Sequence, residues 1–168
     1  MDVRRLRPEE WASYRDIRLR ALADAPDAFG ATHAIEAAYG DAEWQARSDR
    51  PDRAVFVVDG PDGLVGLAIG GAAPGMEDVA ALYSMWVASE ARRNGLGSAL
   101  IEAVKAWALE AGYPTLGLGV TTTNAPAIAL YEHLGFTANG DHYPLREGTG
   151  LTIQIMVLPL GLGDRQAS

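Results

Sequence analysis

The chain has 168 residues, 48% of them hydrophobic, which favours one globular domain with a core large enough to need no disulfide or metal staple. It carries no cysteine, so disulfides, thiolate nucleophiles, thioesters on the protein and Cys-based zinc sites are all excluded, and His33, His133 and His142 lack metal-ligand spacing. A formal charge of -8 with a single lysine, Lys105, argues against a nucleic-acid coat, which needs clustered cations, while it is compatible with attracting a cationic substrate.

Residues 2–7 (DVRRLR) read as a short first strand. Pro8 suits a first helical turn, Glu9 and Glu10 complement the positive end of its dipole, and Trp11, Tyr14, Ile17, Ala21 and Leu22 recur at helical spacing, which predicts a helix to about Ala23. Pro26, Gly30 and Gly40 punctuate two short helices near 32–38 and 41–48. The apolar runs 54–59 and 64–71, joined by Gly60-Pro61-Asp62-Gly63, predict an antiparallel hairpin, and 79–87 a third core strand. From Gly95 to Ala111 the apolar set, with Leu96, Leu100, Val104 and Trp107, keeps a helical period that Gly112 ends. TLGLGV (115–120) reads as a strand closely approached by another backbone, and Asn124 as the cap of a helix through Leu134 that Gly135 closes. Strands at 136–141 and 151–158 flank a loop at 143–150, and the tail 161–168 is expected to be disordered. This order gives an α/β fold, a single mixed sheet in one domain over 1–160.

The loudest chemistry lies in VASEARRNGLGSAL (87–100), where a strand runs through a polar turn into a helix that opens on two glycines. Unobstructed amides at a helix N-terminus, with about half a positive charge, bind phosphate, and Arg92 and Arg93 stand where they add charge-assisted contacts to a pyrophosphate. The P-loop and dinucleotide fingerprints both fail here, for want of Lys and of a small residue at Leu100. A second constellation is NAPAIALYEHLGF (124–136): Asn124 and Tyr131 lie seven residues apart, hence on one helix face roughly 10 Å from each other. Taken singly, the first segment also reads as a plain glycine-rich helix start and the second as a capped, amphipathic core-edge helix.

Together and in this order, Arg92-x-x-Gly95-x-Gly97 followed by Asn124 to Phe136 resembles the GNAT superfamily of N-acetyltransferases, over roughly residues 54–158. The resemblance implies a mostly antiparallel sheet with helices on both faces, whose central parallel strands, 82–87 and 115–120, splay apart to admit acetyl-coenzyme A. It implies that Met85, Trp86 and Val87 pair with the pantetheine as an extra strand. The turn Arg92, Arg93, Asn94, Gly95, Leu96, Gly97 and Ser98 holds the pyrophosphate, with the amides of 93–98 as donors, while Asn124 and Ala127 flank the pantetheine arm. Tyr131 would lie near the sulfur as the acid that protonates the departing thiolate. The family reaction is direct attack of a neutral amine on the thioester through a tetrahedral intermediate, which needs no cysteine.

Members of the family often carry a glutamate base on the central strand, where this chain has Tyr83 and Ser84. Glu36, Glu77, Asp78 and His142 are alternatives, and a water chain or a neutral substrate removes the need, so no base is assigned. Phe29, His33, Tyr83, Ser84 and Tyr143 are taken as acceptor-site residues, with Tyr39, Trp44 and Trp86 as further aromatic walls, while Trp11, Tyr14 and Trp107 read more simply as core. The expected activity is acetyl transfer from acetyl-CoA to a small-molecule amine. Its rivals are a peptide N-terminal or lysine acetyltransferase and a non-catalytic CoA-binding module. No apolar run approaches the 20 residues of a membrane span and the N-terminus has no signal-peptide pattern, so the expectation is a cytoplasmic protein, with a homodimer as the commonest assembly.

Overall fold

A computed structural model of the chain describes residues 1–161; the segment 162–168, most of the tail expected to be disordered, lies outside the described residues. The elements are β1 (Val3–Arg5), a 3₁₀ turn (Pro8–Glu10), α1 (Trp11–Asp24), α2 (His33–Ala37), α3 (Asp41–Ser48), β2 (Arg53–Gly60), β3 (Gly63–Ala73), β4 (Met76–Val87), α4 (Leu96–Glu110), β5 (Thr115–Thr121), α5 (Ala125–His133), β6 (Thr137–Pro144) and β7 (Thr152–Pro159). Two expectations shift at the N-terminus. The first strand ends at Arg5, and the Pro8 turn is 3₁₀ rather than α, because the Glu10 carboxylate reaches back to accept the Arg7 N–H at 2.8 Å and closes the turn tightly. At the other end β6 runs to Pro144, into the stretch read as loop.

The strands form one sheet in the order β1-β2-β3-β4-β5-β7-β6. β4 and β5 run parallel and the other neighbouring pairs antiparallel. Consecutive residues of the central strands are buried, Val57 and Val58 in β2 and Leu67 and Ala68 in β3, as a sheet covered on both faces requires. α4 packs across β2, β3 and β4 through Leu100, Ile101 and Val104, each removed from water and contributing roughly 1.5–3 kcal/mol. Gly70 allows that approach: a Cβ there would lie 2.6 Å from the Trp107 ring.

One irregularity lies where the sheet divides. Leu67 of β3 faces Trp86 of β4, but Ile69 faces Tyr83, so β4 carries an extra residue in a bulge, where Ser84 adopts a left-handed φ of 56°. A bulge bends its strand and re-aims its side chains. β4 accordingly pairs with β5 only from Val79 opposite Thr115 to Ala81 opposite Gly117. Beyond that point Leu82–Val87 and Leu118–Thr121 part, and their facing backbone edges are left without each other in the middle of the sheet.

Candidate active site

The parting of β4 and β5 opens a cleft of about 550 Å³. Met85, Trp86 and Val87 form one wall, Leu118, Gly119 and Val120 the other. The start of α4 and one side of α5 close its ends. Interior strands with unpaired edges are rare because unmet backbone groups are costly, so the gap is shaped for an extended ligand that supplies the missing partners.

The α4 end of the cleft presents the donors that an anion would need. Leu96, Gly97 and Ser98 occupy the first helical turn, whose amides have no intrahelical acceptor, and no side chain caps them; the first helical bond is from Ala99 N–H to the Gly95 carbonyl. Arg93 and Gly95 both sit at left-handed φ, 66° and 73°, which folds the preceding turn tightly. Arg93 and Gly95 line the cleft with the helix start, but Asn94 does not, its amide instead donating to the Ala91 carbonyl at 3.3 Å. The Arg92 guanidinium donates to the Val87 carbonyl at 2.9 Å and to Asp24 Oδ2 at 3.1 Å, which ties the turn to β4 and α1, while both arginines line the cleft and stay exposed.

α5 contributes the opposite wall. Asn124 Oδ1 caps the helix, accepting the Ala127 N–H at 3.3 Å, so the capping reading holds and its amide hydrogens remain for a ligand. Asn124, Ala127 and Tyr131 all border the cleft, as their shared helix face requires. Tyr131 is buried, its ring set edge-on to Phe136 at 5.8 Å, and desolvation alone pushes its phenol up to about 12. At neutral pH it is therefore a protonated donor.

The remaining end is built by α1, the segment after it, and the β4 bulge. Ser84 and Phe29 line the cleft there, as expected of acceptor-site residues. Ser84 Oγ accepts from Arg18 Nη1 at 2.6 Å, while Arg18 Nε and Nη2 donate to Glu36 at 3.0 and 3.1 Å and Arg47 Nη1 donates to the same carboxylate at 3.0 Å. Arg18 and Glu36 are only 6% and 3% exposed, and the Arg18 guanidinium stacks over Phe29. Burial pushes the Glu36 carboxyl up, but the two arginines outweigh it and hold the group below the ordinary carboxylate range. Both its oxygens accept from guanidiniums and it does not line the cleft, so it is not placed to act as a base. Sequence reasoning passed over Arg18, although its place on the apolar face with Tyr14, Ile17 and Leu22 was a visible signal. Two more contacts fix this wall. Thr121 Oγ1 donates to the Asp27 carbonyl at 2.6 Å, and Arg146, from the β6–β7 loop, donates to the Phe29 and Pro26 carbonyls at 2.7 and 3.1 Å.

Several expected acceptor residues lie elsewhere. His33 is exposed at the start of α2, and Tyr143 is 53% exposed in a separate shallow depression with His142 on the β6–β7 side. Tyr83 points out of the cleft, against Gly71 and under Arg53, with its hydroxyl donating to the Ala72 carbonyl at 3.2 Å. The bulge explains it, since one extra residue sends Tyr83 and Ser84 to different surroundings than a regular strand would. Trp44 is core against Tyr14, and Tyr39 packs on Trp44; of the further aromatics only Trp86 reaches the cleft, its indole N–H donating to Asp24 at 3.0 Å. Glu77 and Asp78 are exposed at the far end of β4, with Asp78 six residues or about 20 Å of strand from Ser84.

A divided sheet with an uncapped helix end and a buried phenol along one groove defines an α/β protein with one long cleft through the middle of its sheet. The model of the acetyltransferase (GNAT) family matches residues 7–136, and the chain belongs to that family. Among curated relatives, the [ribosomal protein bS18]-alanine N-acetyltransferase of Escherichia coli K12 is 41% identical over 88 residues, which are 51% of this chain and 59% of that protein. The streptothricin acetyltransferase of Streptomyces lavendulae is 34% identical over 120 residues, 65% of this chain and 58% of that protein. The chain thus spans somewhat over half the length of these relatives. Among solved structures, the Escherichia coli ribosomal-protein-S18-alanine N-acetyltransferase superposes with a TM-score of 0.67 at 25% identity, covering 94% of this chain and 92% of that one. The Salmonella typhimurium protein yncA, solved with its cofactor acetyl-CoA, shares the fold with a TM-score of 0.73 at 22% identity, over 95% of this chain and 94% of its own. No helix among the described residues is long and apolar enough to cross a membrane.

Proposed function

We propose that the chain is an acetyl-CoA-dependent N-acetyltransferase acting on a primary amine of a small molecule. The observation that carries this reading is the unpaired gap between Leu82–Val87 and Leu118–Thr121, running from the uncapped start of α4 to the Tyr131 phenol. Acetyl-CoA has the matching order of parts. Its diphosphate meets the free amides of Leu96, Gly97 and Ser98 and the exposed Arg93, its amide-bearing arm lies between the strand edges and the Asn124 amide, and its thioester comes to Tyr131. The donor supplies an activated acyl group; the protein supplies alignment, and backbone N–H groups near Val87 to polarise the thioester carbonyl.

Overall, a C–N bond forms, the C–S bond breaks and one proton moves from nitrogen to sulfur. Tyr131 serves that transfer by giving its phenolic proton to the departing sulfur and regaining one that the nitrogen releases. The ties of Thr121 and Arg146 to the 26–29 segment join the two loops beside the acceptor end, which favours a slender acceptor over a side chain on a folded protein surface. The similarity to a bS18-alanine N-acetyltransferase supports a second reading, the free end of a peptide as acceptor.

The test is a thermal-shift titration with CoA and acetyl-CoA, followed by thiol detection across a panel of small amines and short peptides. Stabilisation by both nucleotides and thiol release with an amine support the reading. Stabilisation without release from any amine or peptide would make the chain a CoA-binding module instead.

A further inference from the structure

The acceptor end of the cleft is short of proton acceptors and long on positive charge. Among the described residues, those that line the cleft include no Asp, Glu, His or Lys. The charged groups around it are Arg18, Arg20 and Asp24 of α1, Asp27 and Arg146 beside Phe29, Glu36 of α2, Arg47 of α3, and Arg92 and Arg93 of the turn before α4. Asp24 is already shared by the Trp86 indole and Arg92. Glu36 is shared by two guanidiniums, bidentate with Arg18 and single with Arg47, so the cluster behind Ser84 carries a net positive charge and both carboxylate oxygens are already taken. An ammonium at Ser84 would meet the Arg18 guanidinium at close range, with no carboxylate lining the cleft to relieve it or to take its proton.

Ser84 itself is oriented by that cluster. Its oxygen accepts from Arg18 at 2.6 Å, which leaves its single hydrogen to donate, and among the described residues none takes it. We infer that the site selects an amine already neutral at the working pH, made weakly basic by a hydrogen-bond-accepting group such as a carbonyl on the neighbouring carbon, and that Ser84 determines specificity by donating to that group. The inference rests on the acetyltransferase reading and narrows its acceptor class. It needs no base on the protein, because the one proton shed by nitrogen is the one that sulfur gains through Tyr131.

The experiment is the pH profile of kcat/KM from pH 6 to 10 for amines whose conjugate acids span titration midpoints from about 7 to about 10, read by thiol release. Each profile should rise tenfold per pH unit and level off at that acceptor's own midpoint. At pH 7 an amine titrating near 8 is about one-tenth neutral and a lysine-like amine less than one part in a thousand, so kcat/KM should favour the former by roughly a hundredfold. An inflection at the same pH for every acceptor, or a profile that falls above the acceptor's midpoint, would overturn the inference by revealing a base that works on ammonium. Ser84→Ala should raise KM at least tenfold for acceptors with the neighbouring carbonyl, less than threefold for those without, and leave the acetyl-CoA KM within twofold. An equal rise for both acceptor classes would refute the role of Ser84. Failure of the parent reading looks different: CoA would stabilise the protein while no amine released thiol.

Discussion

Removing one oxygen atom tests the chemistry most directly. Tyr131→Phe keeps the ring that packs edge-on to Phe136 at 5.8 Å and deletes a hydroxyl whose raised titration has desolvation as its cause, with no protein hydrogen bond to lose. Stability should therefore change by less than about 1 kcal/mol, since a hydroxyl that faces the cleft without a protein partner contributes little. If the phenol carries the proton to the sulfur, its loss should lower kcat by roughly 10²–10⁴, equivalent to about 3–5 kcal/mol of barrier. The KM for acetyl-CoA should stay within threefold, because the diphosphate grip lies at the other end of the cleft. The wild-type profile adds a second check: with its phenol at about 12, Tyr131 remains a donor up to pH 10, so no alkaline loss of kcat below that pH should trace to it. Thiol release under saturating amine, run beside a thermal melt, measures all of this. A kcat within fivefold of wild type at an unchanged Tm would refute Tyr131 as the proton donor.

Gly97→Asp should weaken CoA binding at least tenfold by thermal-shift titration without lowering Tm, since its Cβ meets only the side-chain ends of Leu130 at 3.2 Å and Met85 at 3.6 Å and a carboxylate suits a first helical turn; an unchanged affinity would displace the phosphate cradle. Glu36→Ala leaves Arg18 and Arg47 without their shared carboxylate and should cost about 3–5 kcal/mol in a urea titration, a loss below 1 kcal/mol contradicting the buried cluster. Acid should act in the same direction. Hydrogen bonds from Arg4 and the Arg7 N–H hold Glu10 at about 2, and Glu36 also lies below its ordinary 4.5, so their stabilisation is complete above about pH 4.5 and fades as pH falls toward 2. Melts across pH 6 to 2.5 should show that slope, and Glu10→Gln should flatten it. Added salt should raise the KM for acetyl-CoA despite the net charge of -8, because the groups at the cleft are cationic; a fall in KM would mean that the overall charge governs binding.

How far the sequence reached follows from the range of the forces involved. Elements held by local pattern were legible to within a residue or two: α4 from its apolar period and flanking glycines, the β2–β3 hairpin from its turn chemistry, and α5 from the Asn124 cap and Gly135 stop. Elements held by distant partners were not. The turn at Pro8–Glu10 is 3₁₀ because Glu10 is drawn back to the Arg7 N–H and to Arg4, and no periodicity announces that. The bulge is the most consequential omission. An extra residue between Tyr83 and Trp86 is defined only by what β3 places opposite, yet it sends Tyr83 away from the cleft, puts Ser84 into it and ends the β4–β5 pairing at Ala81.

The same distinction divides the site. The donor half is made of backbone: a glycine-rich helix start, two strand edges and one helix face, each encoded by contiguous residues, so the motifs and the family resemblance they carry pointed to Gly95, Gly97, Asn124 and Tyr131, which line one cleft. The acceptor half is made of side chains from α1, α2, α3 and β4, met through ion pairs and a hydrogen bond 11 to 66 residues apart in sequence, and a list of aromatic residues could not anticipate which would turn inward. Charge shows why composition misleads at this scale. Summed over the chain it is negative and suggests a cationic substrate, but exposed carboxylates beyond about 8 Å are screened by physiological salt, whereas Arg18, 6% exposed and 2.6 Å from Ser84, is not. The local sign therefore decides what can rest at Ser84. A buried, paired arginine on the apolar face of a first helix is the sequence feature from which that sign could have been read.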